Sequence, residues 1–219
     1  MDIIYYDDNI IVAIKPAGVI STDEPGGMPS LLREALGNDE ADIRTVHRLD
    51  QVVSGLMVFA QSPEAASELS RQIRMGEFKK TYLAVVHGVP QERSGRMEDI
   101  LLRSKEQRKT FVVNKPCRGS QDAVLEYELL ATKDDKSMVE IRLITGRTHQ
   151  IRAQFTHRRL PLLGDKKYGG RDDGCNIALW SYRLGFVNPA SGKFMRFQVK
   201  PPKEYPWSEF DPSVYPRLG

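Results

Sequence analysis

Between Thr81 and Ile144 the chain offers one strand-like segment after another, with no helical periodicity separating them. Thr81 to Val86, Phe111 to Val113, Val124 to Leu130 and Met138 to Ile144 are rich in β-branched, aromatic and aliphatic residues over strand length. Parallel neighbours need a crossover of a dozen or more residues, normally a helix. Strands that follow one another without helices therefore predict a largely antiparallel sheet. Ile177 to Tyr182 and Phe194 to Val199 add two more strands, and residues 91 to 110 read as a surface loop.

Upstream, Ile3 to Tyr6 and Ile10 to Lys15 form a hairpin around Asp7, Asp8 and Asn9, stopped by Pro16-Ala17-Gly18. Residues 22 to 29, rich in Gly, Pro and acids, read as a mobile loop before a short helix from Ser30 to Leu36 that ends at Gly37. A longer helix runs from Pro63 to Met75, with Ser62 as N-cap and Gly76 as stop. Its apolar positions Ala65, Ala66, Leu69 and Ile73 share one face, which predicts packing on the sheet. A further helix is expected from Thr148 to His157, burying Ile151 and Phe155. The proline-rich tail after Lys200 is expected to be irregular and draped over the surface. One α+β domain over residues 1–219 is the economical reading.

With 219 residues the chain can bury one large core. Its longest apolar runs, Ile10 to Ile14 and Gly55 to Ala60, fall far short of the ~20 residues that span a bilayer. No basic segment precedes an apolar stretch at the N-terminus, so a cytoplasmic address without membrane contact is expected. Cys117 and Cys175 lie in no metal-ligand spacing and read as reduced thiols, so no metal is expected. Net charge is only +3, but its distribution is uneven. Residues 142 to 171 carry eight Arg or Lys against Asp165 alone, a net +7, leaving the rest of the chain acidic. Residues 103 to 118 carry a further +5 through Arg103, Lys105, Arg108, Lys109, Lys115 and Arg118 against Glu106. Each run alone could be a solvated face; two in an otherwise acidic chain point to phosphate contacts.

Two segments concentrate reactive groups. His47-Arg48-Leu49-Asp50, followed by Ser54-Gly55, puts a cation and a carboxylate at the entry to a turn. Taken alone, an Arg near an Asp is more often a structural ion pair, and His47 reads as a hydrogen-bonded structural histidine rather than a metal ligand. Thr145-Gly146-Arg147-Thr148-His149-Gln150-Ile151-Arg152 runs from a strand end into the last helix. Arg147 at a helix N-terminus opposes the macrodipole, so it is expected to answer a carboxylate or a phosphate.

With Lys15-Pro16-Ala17-Gly18, Lys79-Lys80-Thr81-Tyr82, and Pro161 to Asp165 with Tyr168-Gly169, these segments make five pieces in an order and spacing that resemble the RluA-type pseudouridine synthases over nearly the whole chain. The resemblance implies an isomerase without a cofactor, built on a mixed, mostly antiparallel bent sheet flanked by helices, with a central active-site cleft. It implies Asp50 as the catalytic carboxylate, Arg147 as its guanidinium partner and Tyr82 as the aromatic against the uracil face. His47, Arg48, Leu49, Lys79, Thr148, His149, Gln150 and Arg152 fall at positions it assigns to substrate binding, with Arg48 filling the space left by a flipped base.

The resemblance points to structured rRNA or tRNA as partner, and since no exposed apolar helix face stands out in the sequence, a monomer is expected. It also implies a catalytic domain alone, without the S4-like N-terminal domain of many relatives, so that RNA is gripped by the domain's own basic surface. The family commonly has Thr before the Ser-Gly pair; here Val53 stands, which removes a hydroxyl from that turn. Two rival readings remain open at this point: a catalytically silent RNA-binding protein on the same scaffold, and a glycosidase that releases free uracil.

Overall fold

A computed structural model describes residues 1–169 and 172–216. Arg171 of the basic stretch and the last three residues of the tail lie outside the described residues. In chain order the elements are β1 (Ile3–Tyr6), β2 (Ile10–Lys15), α1 (Met28–Leu36), β3 (Arg44–Thr45), β4 (Ser54–Ala60), α2 (Pro63–Arg74) and β5 (Lys79–His87). Then follow β6 (Ser94–Ser104), β7 (Lys109–Val113), β8 (Ser120–Lys133), β9 (Lys136–Leu143), α3 (Gln150–His157), β10 (Leu179–Val187) and β11 (Phe194–Gln198). The fold is of the α+β class with mostly antiparallel strand pairs, and it divides into two compact units.

The first unit comprises Met1–Lys80 and Trp180–Val199. Its strands run β1-β2-β4-β10, with β11 beside β10 and β3 also on β4. The β1–β2 hairpin turns where expected because the Asp7 carboxylate accepts the backbone N–H groups of Asn9 and Ile10, both at 2.8 Å. β4 pairs antiparallel with β2 but parallel with β10, where Ser181 lies opposite Gly55. Gly55 has φ 116°, and a Cβ there would stand 2.5 Å from the Ser181 backbone, so no other residue fits. α2 begins as predicted, the Ser62 hydroxyl accepting the Ala65 N–H at 3.1 Å. Ala65 and Leu69 bury against Val58, Leu184 and Phe186, and Phe186 stacks on Phe78 at 5.3 Å.

The second unit comprises residues 81–179 and the segment from Lys200 on, with strands in the order β5-β9-β8-β6-β7. β6 corrects the sequence reading, which took residues 91 to 110 for a surface loop. It is an interior strand, antiparallel to β8 on one side and β7 on the other. Charge concealed it: Arg96 pairs with Glu98 and Glu126 on the solvent side, while Met97 and Leu101 are buried. Asp99 is neutralised by Arg158 at 2.8 Å.

Two helix starts also differ. α1 opens at Met28, two residues early, because Pro29 suits a first helical turn. α3 opens at Gln150, two residues late, because His149 takes a left-handed φ of 56°. The tail forms short 3-10 turns at Trp207–Glu209 and Pro212–Val214. It is packed rather than draped, since Trp207, Phe210 and Tyr215 are buried and Glu209 pairs with Lys136.

Candidate active site

Asp50 sits in a turn between β3 and β4, closed by the Val53 N–H on the Asp50 carbonyl at 3.0 Å. Its neighbours on both sides are anchored. The Ser21 hydroxyl donates to the Leu49 carbonyl at 2.8 Å and accepts the Leu49 N–H at 3.1 Å. The Gln51 carbonyl accepts the Gly18 N–H at 2.8 Å and the Lys15 ammonium at 2.9 Å. Lys15 is 0% exposed and also donates to the carbonyls of Pro16 and Val19. Burial pulls its pKa down to about 8, against the opposing pull of the Asp50 charge. Asp50 itself is half-buried, and Arg48 beside it is exposed, with no side-chain ion pair or hydrogen bond among the described residues.

His47 is buried, and its Nε2 accepts the Val58 N–H at 3.0 Å. Burial, followed by the charge of Lys80, takes its pKa down to about 3, so the ring is neutral and its proton rests on Nδ1. That Nδ1 has no hydrogen-bond partner among the described residues. His47 thus supports the backbone of β4 from the core. Lys79 is exposed and caps the end of α2 through the Gly76 carbonyl at 2.6 Å.

The remaining sequence-predicted residues belong to the second unit. Tyr82 is buried in β5. Gln150, at the start of α3, organises the segment before it: its Oε1 accepts the Arg147 N–H at 3.0 Å and the Thr145 hydroxyl at 2.8 Å, and its Nε2 donates to the Val124 carbonyl at 3.1 Å. Arg147 therefore lies in the turn ahead of the helix rather than in it, and its Nε donates to the Asp122 carbonyl at 2.9 Å. The Thr148 carbonyl accepts the Thr110 hydroxyl, and His149 Nδ1 lies 3.0 Å from the Tyr168 hydroxyl. Arg152 grips Asp165 with two bonds of 2.7 and 2.8 Å and stacks over Tyr168.

Roles for Lys15, Gln51, Asp165 and Tyr168 were missed from sequence. Lys15 carried one available signal, a charged residue closing an otherwise apolar strand.

The two basic stretches differ in how they are used. In the first, Arg142 pairs with Glu126, Arg152 with Asp165, Arg158 with Asp99 and Lys166 with Asp172, so much of its charge is balanced within the protein. In the second, Arg103, Lys105, Arg108, Lys115 and Arg118 are exposed and form no ion pair among the described residues. Lys109 at its base lies over the Tyr168 ring at 4.7 Å.

A family model described as RNA pseudouridylate synthase matches residues 9–157. The chain is 32% identical over 215 residues to the RNA pseudouridine synthase YlyB of Bacillus subtilis, covering 93% of this chain and 70% of that one. It is 34% identical to the dual-specificity RNA pseudouridine synthase RluA of Pasteurella multocida, covering 92% of this chain and 93% of that one. Among solved structures, human RNA pseudouridylate synthase domain containing 1 superimposes with a TM-score of 0.79 at 24% identity, over 98% of this chain and 86% of that one, a likeness of fold.

Proposed function

The chain belongs to the RNA pseudouridylate synthase family and is an RNA pseudouridine synthase, and on that premise we propose that Asp50 is the carboxylate that drives the isomerisation. The reaction breaks the bond between ribose and ring nitrogen, turns the uracil, and rejoins it through a ring carbon. That carbon loses a proton and the nitrogen gains one, so no atom or electron is exchanged with a co-reactant. Asp50 acts on the anomeric carbon, on the ring, or on a ribose proton.

The observation that carries this reading is how the turn is built: a half-exposed carboxylate whose two neighbouring residues are tied to fixed groups. Such anchoring suits a group that must meet its target within a fraction of an ångström. Tyr82 and Arg147 take the roles the motifs suggest, an aromatic face for the uracil and a guanidinium for negative charge. A uridine stacked in RNA must be extruded at a cost of a few kcal/mol. Exposed, unpaired Arg48 is suited to stack in the space left behind.

The substrate is read as structured rRNA or tRNA, held through phosphates by the free cations of residues 103–118 and worked on in the cytoplasm. A monomer suffices, since every assigned residue comes from one chain. Residues 1–219 are read as one catalytic domain, because the family match runs unbroken from residue 9 to 157.

Asp50→Asn and Asp50→Ala are expected to abolish tritium release from 5-tritiated uridine in RNA while binding is retained. Turnover by the Asn variant would remove Asp50 from the chemistry. Free uracil in the products would favour a hydrolase instead.

A further inference from the structure

We propose that Phe111 is a stacking platform for an unpaired base of the RNA substrate, with the cations around it holding the phosphates on either side of that base. This inference rests on the reading that the cations of residues 103–118 contact RNA phosphates, and it does not depend on Asp50 as the catalytic group.

The direction of the ring follows from strand alternation. On β7, Thr110 and Val112 face inward: the Thr110 hydroxyl donates to the Thr148 carbonyl at 2.9 Å, and Val112 packs against Leu101, Ala123 and Ala153. Phe111 lies between them and points the other way, 37% exposed. β7 also ends its sheet, with β6 on one side and no strand among the described residues on the other. The ring is therefore open to a ligand, and a flat apolar group laid on it would remove it from water.

Its surroundings point to a base. The Arg152 guanidinium lies 5.0 Å from the Tyr168 ring, and the Lys109 ammonium lies 4.7 Å from that same ring and 5.7 Å from the Phe111 ring. Cation and aromatic thus alternate from the buried Arg152–Asp165 pair outward, and Phe111 is the outermost member. Arg103, Lys105, Arg108, Lys115 and Arg118 are exposed on the same stretch, which carries Glu106 as its one acid. Cations that track a phosphate chain, with aromatic faces between them, are how single-stranded nucleic acid is held.

The position of the platform limits which base it takes. Arg147 is bonded to the Asp122 carbonyl of β8, Asp122 lies opposite Ile100 of β6, and Ile100 lies opposite Val113 of β7. β8 and β7 are thus about 10 Å apart, so the stacked base lies within a few nucleotides of a uridine presented to Arg147. Both faces of a base inside a helix are already covered by its neighbours. Phe111 therefore favours uridines flanked by unpaired nucleotides over those within a duplex.

The test measures binding of two RNAs, a stem-loop whose loop is all uridine and a blunt duplex of the same stem. Wild type is compared with Phe111→Ala, Phe111→Leu and Phe111→Tyr, with Tm by circular dichroism as the control for folding. Phe111→Ala and Phe111→Leu should each weaken stem-loop binding about tenfold, within the range of one base–aromatic stack, and leave duplex binding unchanged. Phe111→Tyr should bind both RNAs as wild type does. Should Phe111→Ala fail to fold, Phe111→Leu decides alone, because it keeps apolar bulk on the strand.

Wild-type affinity for the stem-loop in folded Phe111→Leu overturns the platform. Equal losses on both RNAs also overturn it, since they point to a disturbed cationic surface. An unaltered salt slope after Arg103, Lys105 and Arg108 are replaced together by Gln instead defeats the phosphate reading on which the platform rests.

Discussion

The His47 imidazole stays uncharged far below the pH at which a free histidine would gain a proton. In the unfolded chain it would titrate near 6.5; in the fold, burial takes that value to about 3. Between these limits the unfolded state binds the extra proton, so the group's contribution to stability falls as pH falls through the window. The slope reaches roughly 1.4 kcal/mol per pH unit. Urea midpoints measured from pH 7 to pH 4 should therefore drop steeply, and His47→Asn should flatten the dependence. An unchanged slope in that variant would show that the ring is not buried neutral. Lys15 titrates outside this window and leaves the slope alone. That Asp50 and His47 are special was legible in the sequence through the motif they share. That His47 faces the core through Val58, and that Lys15 reaches the Gln51 carbonyl, was not, because these partners lie 11 and 36 residues away along the chain.

Among the elements, the end of β6 and the turns beside β7 carry a group of unpaired cations, and hydrogen bonds attach β7 to the segment that leads into α3. The Thr110 hydroxyl donates to the Thr148 carbonyl, and the Tyr168 hydroxyl accepts the Thr110 N–H at 2.7 Å. Cations presented from such a base bind phosphate without reading sequence. Replacing Arg103, Lys105 and Arg108 together by Gln should raise KM and reduce the salt slope of RNA binding by roughly 2 to 3, leaving kcat at saturation unchanged. An unaltered slope would move the RNA contact elsewhere. Periodicity revealed α2 almost to the residue, since its cap, first-turn proline and apolar face all lie within fifteen residues. β6 escaped because half its alternating pattern is charged, and the opposite charges that make this tolerable come largely from other elements, Glu126 of β8 for Arg96 and Arg158 at the end of α3 for Asp99.

For the molecule as a whole, each compact unit is assembled from two separate stretches of chain. The core under β2 and β4 is completed by Leu184 and Phe186, more than a hundred residues downstream. Phe186 stacks between Phe78 and Phe197, so Phe186→Ala should cost about 3–5 kcal/mol in denaturant unfolding. Hydrogen exchange should show β2 and β4 loosening, although both lie near the N-terminus. Loss of protection confined to β10 would contradict a shared core.

The sequence by itself determined the hairpin at Asp7 to Asn9, the limits of α2 and the mostly antiparallel character of the strands, because each depends on local residue patterns, and it determined the family because five short motifs stand in order along the chain. Only the tertiary structure decided which cations are free, which lysine is buried and which aromatics share a core. Those outcomes depend on partners such as Asp165 for Arg152, Gln51 for Lys15 and Phe186 for Phe78. Burial and charge neutralisation act between neighbours in space, and local pattern does not specify who those neighbours are.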